Sequence, residues 1–108
     1  MVQLLSTLLS LEGYEVQILG RDEDVAAAVE GARPDALLLD MHLAGQNGLE
    51  VLDRLRRSEA AARVRIIMVS GLNVREDCLS RGADDFLLKP FMPADLLDML
   101  HNTLRRPR

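Results

Sequence analysis

The stretch RPDALLLDMHLAGQNGLEVL, residues 33–52, decides the fold. Pro34 ends whatever precedes it, because proline fixes its φ and offers no N–H. Asp35-Ala36-Leu37-Leu38-Leu39-Asp40 is then a short apolar run closed by an acid. A run of that length without alternation suits a parallel strand covered on both faces. A loop follows over 41–47. From Gly48 to Arg57, Leu49, Leu52 and Leu55 fall at helical spacing. Strand, loop and helix in that order make the repeating unit of a wound parallel sheet.

The unit recurs downstream. Val64-Arg65-Ile66-Ile67-Met68-Val69 is a second apolar run, ending at Ser70-Gly71. A helical pattern over 74–81 follows, and Gly82 stops it. Asp85-Phe86-Leu87-Leu88 is a third run, ending at Lys89-Pro90. Pro93 sits just before a last helix over 94–104, a position helix starts favour. Upstream, Leu4, Leu5, Leu8 and Leu11 predict a helix over 3–11, with Gly13 as its stop. Tyr14 to Leu19 reads as a strand, and Asp22 as the cap of a helix over 23–30 that Gly31 ends. The order αβαβαβαβα predicts an α/β, doubly wound parallel sheet with four strands from this chain. Right-handed crossovers then place every strand C-terminus on one edge, where ligands bind.

Composition narrows the function classes. The 108 residues suit one domain, 1–108, with 48% apolar residues to build a core. The net charge of −4 argues against a nucleic-acid surface. The basic end, Arg105-Arg106-Pro107-Arg108, reads as a helix terminus, where cations suit the negative end of the dipole. Cys78 is the one cysteine, which excludes an intrachain disulfide and points to a structural thiol. Apolar runs are too short to span a bilayer, and the start lacks a basic n-region. No membrane partner and a cytoplasmic location are therefore expected.

Asp40, Ser70 and Lys89 each close one of three successive apolar strands. Parallel strands bring all three to one edge. A carboxylate there can act as a nucleophile toward phosphorus. A hydroxyl and an ammonium can bind phosphate oxygens. Glycines at 45, 48 and 71 leave space for a phosphate near the backbone. Singly, each has a plainer role: Asp40 as a turn or cap residue, Ser70 as turn chemistry, Lys89 as a surface lysine. Their joint placement favours an anion site.

These residues, in RPDALLLDMHLAGQNGLEVL, IIMVSGL (66–72) and GADDFLLKPF (82–91), resemble the response-regulator receiver domain of two-component signalling. The resemblance implies a flavodoxin-like fold. It implies that Asp40 takes a phosphoryl group from a phosphohistidine on a sensor histidine kinase. It further implies that Ser70 moves toward the phosphate, that Phe86 is the switch aromatic, and that Lys89 precedes a cis bond to Pro90. The His42 backbone carbonyl matches a Mg²⁺ ligand. Helix 74–81, strand 85–88 and helix 94–104 match the face presented to an output protein, whose identity the sequence does not give.

The chain departs from the family in one large respect. Receivers begin with an interior strand ending in an acidic pair that holds Mg²⁺, and this sequence starts at the helix after it. Ala44 and Asn47 are milder departures, standing where proline and aspartate are usual. Weak or absent Mg²⁺ binding is therefore expected; Asp22 and Asp24 follow a strand on the same edge, but capping a helix, not substituting for the acidic pair, is the expected job of Asp22. The sheet would close by direct pairing of 14–19 with 35–40, by a homodimer or strand exchange, or by a preceding segment of a longer protein. Two functions compete. One is a phosphoacceptor with at most self-catalysed transfer, not an independent enzyme. The other is a degenerate, unphosphorylated interaction or dimerisation module.

Overall fold

A computed structural model describes residues 2–19, 23–43 and 46–107. The elements are α1 (Val2–Leu11), α2 (Val25–Ala32), β1 (Ala36–Asp40), β2 (His42–Leu43), β3 (Gln46–Asn47), α3 (Gly48–Arg57), β4 (Arg65–Ser70), α4 (Arg75–Ser80), β5 (Asp85–Leu88) and α5 (Pro93–Arg105). A single 3₁₀ turn, Glu59–Ala61, links α3 to β4. No helix among the described residues is long and apolar enough to cross a membrane.

The main sheet is parallel, in the order β1-β4-β5. Asp40 lies opposite Val69, and Ser70 opposite Leu88. Side chains of β4 alternate between two cores, as the two-residue period of a strand requires. Ile66 and Met68 join Leu39, Leu52, Leu55, Val29 and Phe86 under α2 and α3. Ile67 and Val69 join Leu87 and Leu96, with Leu5 of α1 packed alongside. Helices therefore cover both faces of the sheet, as the αβ alternation predicts.

The strand expected over 14–19 does not form a ladder. A strand exists through its neighbour's hydrogen bonds, and among the described residues no strand pairs with 14–19. The expected direct pairing of 14–19 with 35–40 is absent too: the ladder of β1 runs to β4. Leu19 still packs on the core, but Ile18 is 51% exposed and Leu38 41% exposed. Among the described residues the main sheet therefore has three paired strands, and 14–19 runs beside it unladdered.

Helix 2 also differs from expectation. Its cap is Asp24, whose side chain accepts from Ala27 N–H at 3.1 Å, and the helix runs on through Gly31. Arg33 ends it in the left-handed region at φ 48°, with its N–H on Val29 C=O. Asp22 lies outside the described residues. The loop after Asp40 contains a two-residue antiparallel pair, His42 opposite Asn47 and Leu43 opposite Gln46. Two-residue strands have too little pattern to read in a sequence.

At the edge where the strands begin, Arg56 fastens several segments. It donates to Gly82 C=O at 2.7 Å, to Val64 C=O at 3.0 Å and to the Asp84 carboxylate at 2.8 Å. The same Asp84 oxygen accepts from Ile66 N–H at 2.7 Å. Gly82 suits this spot twice over: its φ is +104°, and a Cβ would meet Arg56 Cγ at 2.9 Å. The basic end of α5 joins in, since Arg106 reaches Asp84 C=O and the Asp85 carboxylate. Cys78 is buried, as a structural thiol should be.

Candidate functional site

Asp40 and Lys89 come together at the C-terminal edge of the sheet. The Lys89 ammonium donates to Asp40 Oδ2. The other oxygen, Oδ1, accepts the His42 backbone N–H at 2.9 Å, a turn that Asp forms readily two residues ahead. Partial burial pushes the Asp40 carboxyl pKa up. The hydrogen bonds from Lys89 and from His42 N–H push it down and prevail, so it lies below the usual 3.8. Lys89 is followed by a cis bond to Pro90, and its backbone N–H donates to Ser70 C=O at 2.8 Å.

Ser70 is 1% exposed at the end of β4, and its Oγ accepts Leu72 N–H at 3.0 Å. The hydroxyl therefore shares the edge with Asp40 and Lys89 while engaged in its own turn. Phe86 is 5% exposed and packs in the larger core, on the strand that delivers Lys89. His42 is exposed and pairs through its backbone with Asn47.

The glycines do not all serve as predicted. A Cβ on Gly48 would lie 2.7 Å from Asp40 C=O and 2.7 Å from Met41 Cα. The space this glycine frees is filled by the backbone of the Asp40 turn, not by a ligand. Gly71 has open space around it, and Gly45 lies outside the described residues. Gln46 escaped the sequence reading altogether. Its Nε2 donates to Glu23 C=O at 2.9 Å, and its Oε1 accepts Val25 N–H at 3.5 Å.

Magnesium takes a near-octahedral set of oxygens, commonly one or two carboxylates with waters and phosphate. Both oxygens of Asp40 already have partners. Asp24, the disfavoured candidate for a substitute ligand, is committed to capping α2 and to Arg54 at 3.2 Å. Among the described residues no group of three or more His, Cys, Asp or Glu gathers to hold a metal. These donors do not fit an ion held by the described residues alone.

Comparison with known proteins bears on the fold and the family. The profile of the response regulator receiver domain matches residues 1–101. The DNA-binding response regulator MtrA of Mycobacterium tuberculosis is 35% identical over 109 residues, spanning 98% of this chain and 46% of MtrA. The BeF3-activated N-terminal receiver domain of RstA from Klebsiella pneumoniae superimposes with a TM-score of 0.83 at 27% identity, covering 96% of this chain and 89% of that one. The receiver domain of sensor histidine kinase PA1611 from Pseudomonas aeruginosa, with magnesium in its active-site cleft, has a TM-score of 0.83 at 28% identity, covering 97% of this chain and 88% of that one. The chain spans about half the length of the curated relatives it matches. The parallel sheet with helices on both faces, the carboxylate and ammonium at its C-terminal edge, and the profile over residues 1–101 lead to one conclusion: this chain belongs to the response-regulator receiver family.

Proposed function

We propose that this chain is the phosphoacceptor switch of a two-component pathway, with Asp40 as the residue modified. The observation that carries this reading is the pairing of the Asp40 carboxylate with the Lys89 ammonium at the C-terminal edge of a parallel sheet. A carboxylate held ionised is the form that attacks phosphorus. In the transfer, an Asp40 oxygen forms a bond to phosphorus as the P–N bond to the donor imidazole of a sensor histidine kinase breaks. The bonding pair stays on the imidazole nitrogen. Lys89 then moves its charge from the carboxylate to a phosphoryl oxygen. Ser70 exchanges its bond to Leu72 N–H for another, and Phe86 follows in the space beside it. The face formed by α4, β5 and α5 reports the change to an output protein.

A second reading is a receiver-like module that associates without being phosphorylated. Two observations favour it: among the described residues no group of acids and histidines gathers to hold a metal, and β1 is paired there on one side only, with Leu38 half exposed. An open strand edge is a template for another chain, and a second copy is the partner this reading names.

Incubation with acetyl phosphate and Mg²⁺, followed by intact-mass measurement, separates the two. The phosphoacceptor reading expects the gain of one phosphoryl group in the wild type and none in Asp40→Asn. A folded wild-type chain that gains nothing, and sediments as a dimer, supports the second reading and removes the first.

A further inference from the structure

Gln46 makes two hydrogen bonds that neither the fold nor the transfer chemistry accounts for. Its side-chain amide donates to the C=O of Glu23 and accepts from the N–H of Val25. In extended backbone, the C=O of one residue and the N–H two residues on point to the same side. A neighbouring parallel strand bonds that pair through the peptide groups of one residue. Gln46 supplies the same donor and acceptor from its side chain. It thereby serves the segment that enters α2, where Val25 N–H has no helical partner of its own.

The other end of Gln46 leads to Asp40. Its backbone lies opposite Leu43, and Asn47 lies opposite His42. The His42 N–H is the group that holds Asp40 Oδ1. Asn47 caps α3 through Leu49 N–H at 2.9 Å, and Gly48 N–H donates to Met41 C=O at 3.0 Å. From α3, Arg54 returns to α2 by ion pairs with Asp24 and Glu30, each at 3.2 Å. The Asp40 turn, the start of α2 and α3 thus form a closed ring. The Arg54 pair with Asp24 is about half exposed, and such pairs hold geometry weakly. The amide of Gln46, half-buried, is the directional link.

We propose that Gln46 is a positioning residue for the phosphoacceptor, acting through the His42 peptide that orients the Asp40 carboxylate. This rests on the phosphoacceptor reading above. The side-chain chemistry is specific. Leucine keeps the bulk and loses both bonds. Glutamate keeps the acceptor for Val25 N–H and sets a carboxylate against Glu23 C=O.

The test uses the full chain and two measurements. Amide hydrogen exchange at Val25 and His42 reads the ring directly. Gln46→Leu should speed exchange at both by about fivefold, the effect of losing one modest hydrogen bond. Gln46→Glu should keep Val25 protected while His42 exchanges faster. The rate of phosphorylation by acetyl phosphate should fall about tenfold in Gln46→Leu at saturating donor, with an unchanged half-saturating concentration, because orientation and not donor binding is lost. Unaltered His42 exchange in folded Gln46→Leu overturns the proposal, as does a rate loss carried wholly by donor affinity. If the wild type takes no phosphate, the phosphoacceptor reading fails, and the positioning role fails with it even if exchange confirms the ring.

Discussion

β1 and β4 are adjacent strands of similar make-up in very different surroundings. Five of the six residues of β4 are buried, and its side chains enter both cores. In β1 only Leu39 is fully buried, and Leu38, which points to the opposite face, is 41% exposed. Both runs are apolar enough for two-sided burial. The difference lies in the neighbours: among the described residues β4 has a strand on each side, whereas β1 has one. Burial of a strand is thus a property of its position in the sheet as much as of its residues.

The largest contrast comes from truncating one residue on the same face of each strand. Ile67→Ala empties a site that is 1% exposed and should cost about 2–5 kcal/mol in urea unfolding. Leu38→Ala, by the same measurement, should cost less than about 1 kcal/mol, since water already reaches it. Equal losses would mean that this face of β1 is covered in solution, by a second copy or another segment.

A middle-sized effect is expected where β1 ends. Gly48→Ala forces a methyl against the backbone of Asp40 and Met41, which cannot swing aside as a side chain would. It should cost about 1–3 kcal/mol by thermal or urea unfolding. It should also displace the Asp40 turn, seen as a shift of the His42 amide resonance. A silent substitution would show that the loop yields there.

The smallest effect concerns charge. Asp40 titrates below its usual 3.8 in the folded chain. Its contribution to stability is therefore complete above 3.8 and is lost as pH falls through the lowered value. Asp40→Asn should flatten the stability curve below 3.8. Its effect at neutral pH should stay under about 1 kcal/mol, because the pair with Lys89 is 32% and 46% exposed. A steeper acid limb in the variant would mean that other carboxylates carry the pH dependence.

Most of the architecture was legible because it depends on local pattern. The apolar runs ending at Asp40, Ser70 and Lys89 are strands or their immediate ends, and Gly13 and Gly82 stop helices with positive φ. What could not be read depends on contacts distant in the chain. Tyr14 to Leu19 has the residues of a strand, but a ladder needs a partner. Asp24 caps α2, and two acids so close together in the sequence carry no local signal that separates them. The Asp40–Lys89 pair follows from parallel topology and was foreseen. The Gln46 clamp was not, since a lone glutamine in a polar loop carries no local signal, and its partners are 21 and 23 residues away.

The fastening by Arg56 braces the domain at the edge where the strands begin. Arg56, Asp84 and Arg106 rivet the starts of β4 and β5 and the end of α5 together. At the opposite edge, the side chains of Asp40 and Lys89 meet in a half-exposed ion pair. A change at residue 40 therefore acts at the edge opposite the Arg56 brace. A rearrangement there is expected to spare the anchored end, which amide exchange at Ile66 and Ala83 would read as unchanged protection.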